Sequence, residues 1–172
     1  MAGASILENT IREVTSSGVE EITIAANDPE PYKPYGLPVI PDLRPGIGPL
    51  GGIEAGLAHY ARRYEAVLFL PCDLPGITSR EISALISAFD NESGLIVFAQ
   101  AGHFFDQPLC TIVPNALHQA ISKAIDDGKR KVGDVWRELG AVVVHFDDPA
   151  PFFNVNTPED MARWHASRKE TS

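Results

Sequence analysis

Ala66-Val67-Leu68-Phe69-Leu70-Pro71-Cys72-Asp73-Leu74-Pro75 decides how this chain is read. Residues 66–70 are an unbroken apolar run, the pattern of a strand buried on both faces of a sheet. Pro71 stops the run, and Asp73 follows in a turn stiffened by Pro75. In an open α/β sheet the ligand crevice lies outside the carboxyl ends of the strands. An aspartate held there can bind a divalent metal on a nucleotide's phosphates, or it can simply cap the turn.

Outward from this stretch, strand and helix signals alternate. Ser5-Ile6-Leu7-Glu8 is a capping box opening a helix that Gly18 ends. Strands are expected at 21–26, 37–40, 66–70, 94–99, 107–113 and 141–146. Helices are expected at 51–63, 78–89, 115–127 and 131–139, and a last one starts at Thr157-Pro158. This alternation predicts an α/β fold of three layers with a mostly parallel sheet. The neighbouring strands 94–99 and 107–113, joined by a short polar loop, are expected to run antiparallel and make the sheet mixed.

The chain has 172 residues, enough for one domain with a full core (residues 1–172) and too few for two. A net charge of −9 without any run of basic residues argues against a nucleic-acid partner or a membrane-surface patch. No apolar stretch is long enough to span a bilayer and no signal-peptide pattern precedes Ser5, so a cytoplasmic location is expected. Cys72 and Cys110 lack metal-site spacing and read as reduced core residues.

Three segments converge on one site, and their residues Asp42, Asp73, Asn154 and Asn156 are expected to line one edge of a single sheet. Asp42 precedes a loop carrying Gly46, Gly48, Gly51 and Gly52, where the backbone can approach a ligand and present N–H groups to it; a plain structural turn is the alternative. Asp73 is the second element. In the third, Phe152-Phe153-Asn154-Val155-Asn156-Thr157-Pro158, alternation sets Asn154 and Asn156 on one side of an extended segment. Amides there can orient phosphates, hydroxyls or metal-bound water, or Asn156 can serve a turn. His103, His118 and His165 are scattered, Asp147 and Asp148 read as loop solvation, and Lys129, Arg130 and Lys131 read as a solvated helix start. Trp136 and Trp164 read as packing residues on helix faces.

Five ordered blocks carry a resemblance. They are Val39-Ile40-Pro41-Asp42, Gly48-Pro49-Leu50-Gly51-Gly52-Ile53, Leu70 to Pro75, Asp106-Gln107-Pro108-Leu109-Cys110, and Phe152 to Asp160. Together they resemble the molybdenum cofactor guanylyltransferases, also called molybdopterin-guanine dinucleotide biosynthesis protein A, over nearly the whole chain from Ser5 to Trp164. The resemblance implies a Rossmann-like nucleotide-diphospho-sugar transferase fold. It also implies an Mg2+-dependent transfer of GMP from GTP to the phosphate of molybdopterin, with release of pyrophosphate. Asp73 then stands at the family's magnesium-binding aspartate. Asn27, Asp42, Gly51 and Gly52 stand at its guanine-nucleotide site, and Asn154 and Asn156 stand where it approaches metal, phosphate and pterin. Asn27 lies in a departure from the family, because Asp28 replaces the arginine of an Ala-Asn-Arg block and Ala25 stands where some members have another asparagine. Cytidylyl transfer to the same pterin is the close variant, and molybdoenzymes or cofactor-assembly proteins are the protein partners the resemblance suggests.

Family members begin with a strand and a glycine-rich loop whose lysine and arginine neutralise the triphosphate. Met1 to Glu8 aligns with the segment that follows that loop. The expected fold therefore lacks its first strand, and the strands around Ile22 and Val67 are expected either to pair directly or to stand apart. Two explanations fit: a coding segment upstream of Met1 carries the strand and loop, or the chain is a shortened protein that binds weakly, works with a partner or is inert. Arg44 is the nearest basic residue within the surviving loop.

Overall fold

The computed structural model describes residues 5–89, 94–103 and 105–169. Met1 to Ala4, which begin the segment aligned with the one after the family's loop, lie outside them. The elements in chain order are α1 (Ile6–Ser16), β1 (Ile24–Ala25), β2 (Val39–Ile40), α2 (Pro49–Tyr60), β3 (Ala66–Phe69), α3 (Ser79–Ala88), β4 (Val97–Ala101), β5 (Phe105–Pro114), α4 (His118–Asp126), α5 (Val132–Leu139), β6 (Val142–Phe146) and α6 (Pro158–Lys169).

Local chemistry starts several of these helices where the sequence places them. Ser5 with Glu8, and Thr78 with Glu81, form reciprocal capping boxes at α1 and α3. At α6 the Asp160 carboxylate accepts from the Thr157 N–H at 3.0 Å while the Thr157 hydroxyl accepts from the Asp160 N–H at 3.1 Å. Hydrogen bonding to the Asp160 carboxylate, from the Thr157 side chain first and then from the Asn156 and Thr157 backbone, holds that carboxyl below its usual range. Gly48, at φ 74°, leads into α2 with Pro49 at its first turn, two residues earlier than the helix expected from Gly51.

The main sheet has the order β3-β5-β4-β6. β5 runs antiparallel to both β3 and β4, while β6 is parallel to β4, so three of the four strands share one direction. The antiparallel pairing of β4 with β5 is the one the short polar loop predicted. Alternation sorts the side chains into two cores. Ala66, Leu68, Val97, Ala99, Cys110, Ile112, Val144 and Phe146 join α3 residues Ile82 and Leu85 on one face. Val67, Phe69, Phe98, Val113 and Val143 face α2, α4 and α5 on the other, around the fully buried Trp136. Helices on both faces of the sheet make the three layers.

β1 and β2 form a separate parallel pair in the register Ile24 with Val39 and Ala25 with Ile40. β1 and β3 are not paired; of the two expected outcomes, the strands stand apart. Helix α2 packs against both. A Cβ on Gly52 would lie 3.6 Å from the Ala25 Cβ, and one on Gly56, a turn later on the same face, would lie 2.6 Å from the Phe69 ring. β3 is paired on one side only, and its four residues are half-buried. Both faces of β3 reach a core, Ala66 and Leu68 on one side and Val67 and Phe69 on the other, but among the described residues only β5 pairs with it, which makes it a sheet edge.

Candidate functional site

Asp73 leaves the carboxyl end of β3 in the Pro71–Pro75 turn. Its Oδ2 accepts from Asn154 Nδ2 at 3.0 Å across 81 residues of sequence. Its backbone carbonyl accepts from the Val155 N–H at 2.9 Å, fixing the two segments side by side. Its Oδ1 is buried and takes no hydrogen bond among the described residues. A buried carboxylate oxygen left open is costly unless something fills its lone pairs. Burial first, and then the Asp73 charge, push the Cys72 thiol up, and the same two causes push the buried Cys110 thiol up to about 12. Both shifts favour the protonated thiol beside this carboxylate.

The residues fit a divalent metal of the kind that completes its shell with phosphate oxygens. Such an ion commonly takes one or two protein carboxylates and fills its other positions with substrate and water. Asp73 Oδ1 is the open donor, and among the described residues no group of three or more His, Cys, Asp or Glu builds an all-protein cage.

A second cluster lies at the ends of β1 and β2. Asn27 Nδ2 donates to Asp42 Oδ2 at 3.0 Å, and the Asp42 N–H donates to Asn27 Oδ1 at 2.9 Å. The pair meets because β1 and β2 run parallel and end together. Asp42 then rests against the first turn of α2, where a Cβ on Gly51 would fall 3.2 Å from its Cγ. Glycine at 51 makes this close approach possible, and the positive end of α2 favours the carboxylate there.

Asp42, Asp73, Asn154 and Asn156 were expected along one edge of a single sheet. The structure corrects this: Asp42 follows the two-stranded sheet and Asp73 the four-stranded one, since β1 and β3 do not pair. Asn154 is brought to Asp73. The Asn156 backbone N–H donates to Asp160 Oδ2 at 3.1 Å, at the α6 cap.

Arg44, the basic residue of the glycine loop, is engaged by acidic and hydroxyl partners. It binds Glu54 at 2.9 Å, and Asp126 and Ser122 each at 2.5 Å. Glu54, only 2% exposed within α2, escaped the sequence reading. Its signal was a charged residue among Leu50, Ile53 and Leu57, an apolar helix face on which a carboxylate needs a partner.

Residues 1–142 match the family model described as a MobA-like NTP transferase domain. The chain is 35% identical to the molybdenum cofactor guanylyltransferase of Pseudomonas fluorescens (strain SBW25), covering 81% of this chain and 70% of that protein. It is 30% identical to the protein of the same name from Shewanella sp. (strain ANA-3), covering 94% and 81%. The crystal structure of molybdopterin-guanine dinucleotide biosynthesis protein A from Archaeoglobus fulgidus superposes with a TM-score of 0.77 at 19% identity, over 99% of this chain and 88% of that one. By the family model and these relatives, the chain belongs to the MobA-like NTP transferases, a nucleotidyltransferase family.

Proposed function

We propose that this protein serves molybdenum cofactor assembly by transferring GMP from magnesium-GTP to the phosphate of molybdopterin, releasing pyrophosphate. The observation that carries the reading is the open, buried Oδ1 of Asp73, held in place by Asn154. A bound Mg2+ would neutralise and orient phosphate oxygens. Asp73 would hold it, and Asn154 keeps the carboxylate from rotating, so the open oxygen stays aimed. Asp42 is an acceptor-only side chain fixed by Asn27, which suits the donor edge of guanine better than that of cytosine. Gly51 and Gly52 let the nucleotide approach the first turn of α2.

One observation favours an impaired version of the same activity, a chain that binds nucleotide or pterin and turns over slowly. Arg44, the cation of the glycine loop, is occupied by Glu54 and Asp126. Losing one preorganised donor to a transition-state anion costs about 2.7–4 kcal/mol. With Arg44 held by these carboxylates and not free to clamp a triphosphate, we expect nucleotide binding to be retained and turnover to be slow.

The test is to titrate magnesium-GTP and magnesium-CTP into wild type and Asp73→Ala, and to assay pyrophosphate release with molybdopterin. Metal-dependent GTP binding that vanishes in Asp73→Ala supports the reading. GTP binding that ignores Asp73 and the metal would sink it, and a preference for CTP would make the chain a cytidylyltransferase.

A further inference from the structure

Residues 43–48 carry the chain from Asp42 to α2 as a loop, and both ends of that loop fold onto one point of the helix. A Cβ on Gly51 would meet Asp42 Cγ at 3.2 Å and Ile47 Cβ at 3.3 Å. Gly46 and Gly48, at φ 75° and 74°, take the left-handed turns this path needs. The loop buries little of itself: Leu43 is 58% exposed, and Pro45, Gly46 and Gly48 are exposed too. Just before it, the Asp42 N–H donates to Asn27 Oδ1 at 2.9 Å. Within it, Arg44 is the residue that reaches back to the helices.

Arg44 spreads its guanidinium over two of them. Nη2 donates to Glu54 Oε1 of α2 at 2.9 Å and to Ser122 Oγ of α4 at 2.5 Å, and Nη1 donates to Asp126 Oδ1 of α4 at 2.5 Å. Ser122 and Asp126 are four residues apart and so share one face of α4. A planar fork serves three acceptors in fixed directions, where a lysine offers one freely turning point charge. Glu54 is 2% exposed, and its Oε2 takes no hydrogen bond among the described residues. Two apolar side chains in place of such a buried pair would stabilise a fold as well or better. What the charged pair supplies is direction: it fixes where the loop lies against α2 and α4.

We infer that Arg44 and Glu54 are positioning residues of the nucleotide site. They hold loop 43–48 so that the Asp42 carboxylate stays against Gly51 and the first turn of α2, and they thereby set base selectivity. Neither touches the base; both act through Asp42, whose acceptors are kept at one place for the N–H and amino groups of guanine. A loop released from α4 leaves Asp42 held by Asn27 and no longer by the chain behind it. The carboxylate then samples other positions, and donor edges are told apart less sharply. This role rests on the reading of Asp42 as a guanine acceptor, whereas the clamp itself is measurable without nucleotide.

The test uses the full chain with Arg44→Lys, which keeps the charge and loses the fork, and with Ser122→Ala/Asp126→Asn. The second variant removes the α4 half of the clamp while Glu54 keeps its arginine. Its two positions are exposed or half-buried, so its thermal melting should match wild type. Without nucleotide, hydrogen exchange of the Asp42 amide is expected to quicken about tenfold in both variants, the effect of losing a hydrogen bond to a charged group. Titrations with magnesium-GTP and with magnesium-ITP, which lacks the 2-amino group of guanine, read selectivity. Wild type should prefer GTP, and the preference should narrow by about three- to tenfold in both variants, GTP binding weakening more than ITP binding. A role in stability alone would weaken both nucleotides alike, or lower the melting temperature and leave their ratio untouched. Unchanged Asp42 exchange, or an unchanged GTP-to-ITP ratio, overturns the inference. Faster exchange in the variants with no GTP preference in wild type locates the failure in the reading of Asp42 and overturns the selectivity role with it.

Discussion

Asn154 donates to Asp73 at 3.0 Å, and the next residue, Val155, donates its N–H to the Asp73 carbonyl at 2.9 Å. Side chain and backbone together lock the segment before α6 onto the turn after β3. The Asp73 carboxylate is thereby oriented by a residue from the far end of the chain.

Breaking that lock should be felt as lost metal affinity. Asn154→Ala is expected to weaken metal-dependent nucleotide binding about 10–100-fold, the usual cost of removing an orienting partner. Asp73→Asn should remove it. Titration calorimetry with magnesium-GTP reads both; equal affinity in Asn154→Ala and wild type would show that Asp73 needs no orientation.

The two cysteines report the Asp73 charge. A nearby carboxylate disfavours the thiolate, so its removal lowers the thiol pKa and increases the thiolate fraction at a given pH. At pH 8, Asp73→Asn should therefore speed alkylation of the exposed Cys72 by iodoacetamide. Cys110, buried and pushed up to about 12, should stay unmodified in the folded protein. Mass spectrometry over time checks this; slower Cys72 alkylation in Asp73→Asn contradicts the assignment.

Two helical glycines should respond oppositely to alanine. At Gly56 the new methyl would sit 2.6 Å from the Phe69 ring, an overpacking expected to cost about 1–3 kcal/mol. At Gly133 in α5 the nearest atom is the movable Arg137 guanidinium at 3.8 Å, so Gly133→Ala should gain about 0.5–1 kcal/mol from helix propensity. Urea denaturation of both variants decides, and a neutral Gly56→Ala would mean that Phe69 moves freely.

Arg44 and Glu54 should behave as a buried pair. Arg44→Ala leaves a carboxylate that is 2% exposed without its cation and is expected to cost about 3–5 kcal/mol. The double variant Arg44→Met/Glu54→Leu should recover most of that loss, because no charge then stays buried. Equal stability of the single variant and wild type would show that Glu54 reaches solvent.

Element order, and the places of Asp42 and Asp73 at strand ends, were legible in the amino-acid sequence. Those readings rest on local physics: the Ser5–Glu8 and Thr78–Glu81 caps, the apolar run 66–70, and the prolines that end it. The antiparallel β4–β5 pair was legible for the same reason, since a short connection permits little else. Only the tertiary structure decided what those elements meet. The bond from Asn154 to Asp73 depends on how β3, β4 and β6 end relative to one another, which no window of sequence contains. Arg44 has the same look whether it faces a phosphate or Glu54; the packing of α2 against α4 assigns it to the carboxylate. β3 is apolar enough for a sheet interior and is nevertheless an edge, because pairing depends on a neighbour's position in space and not on a strand's own residues.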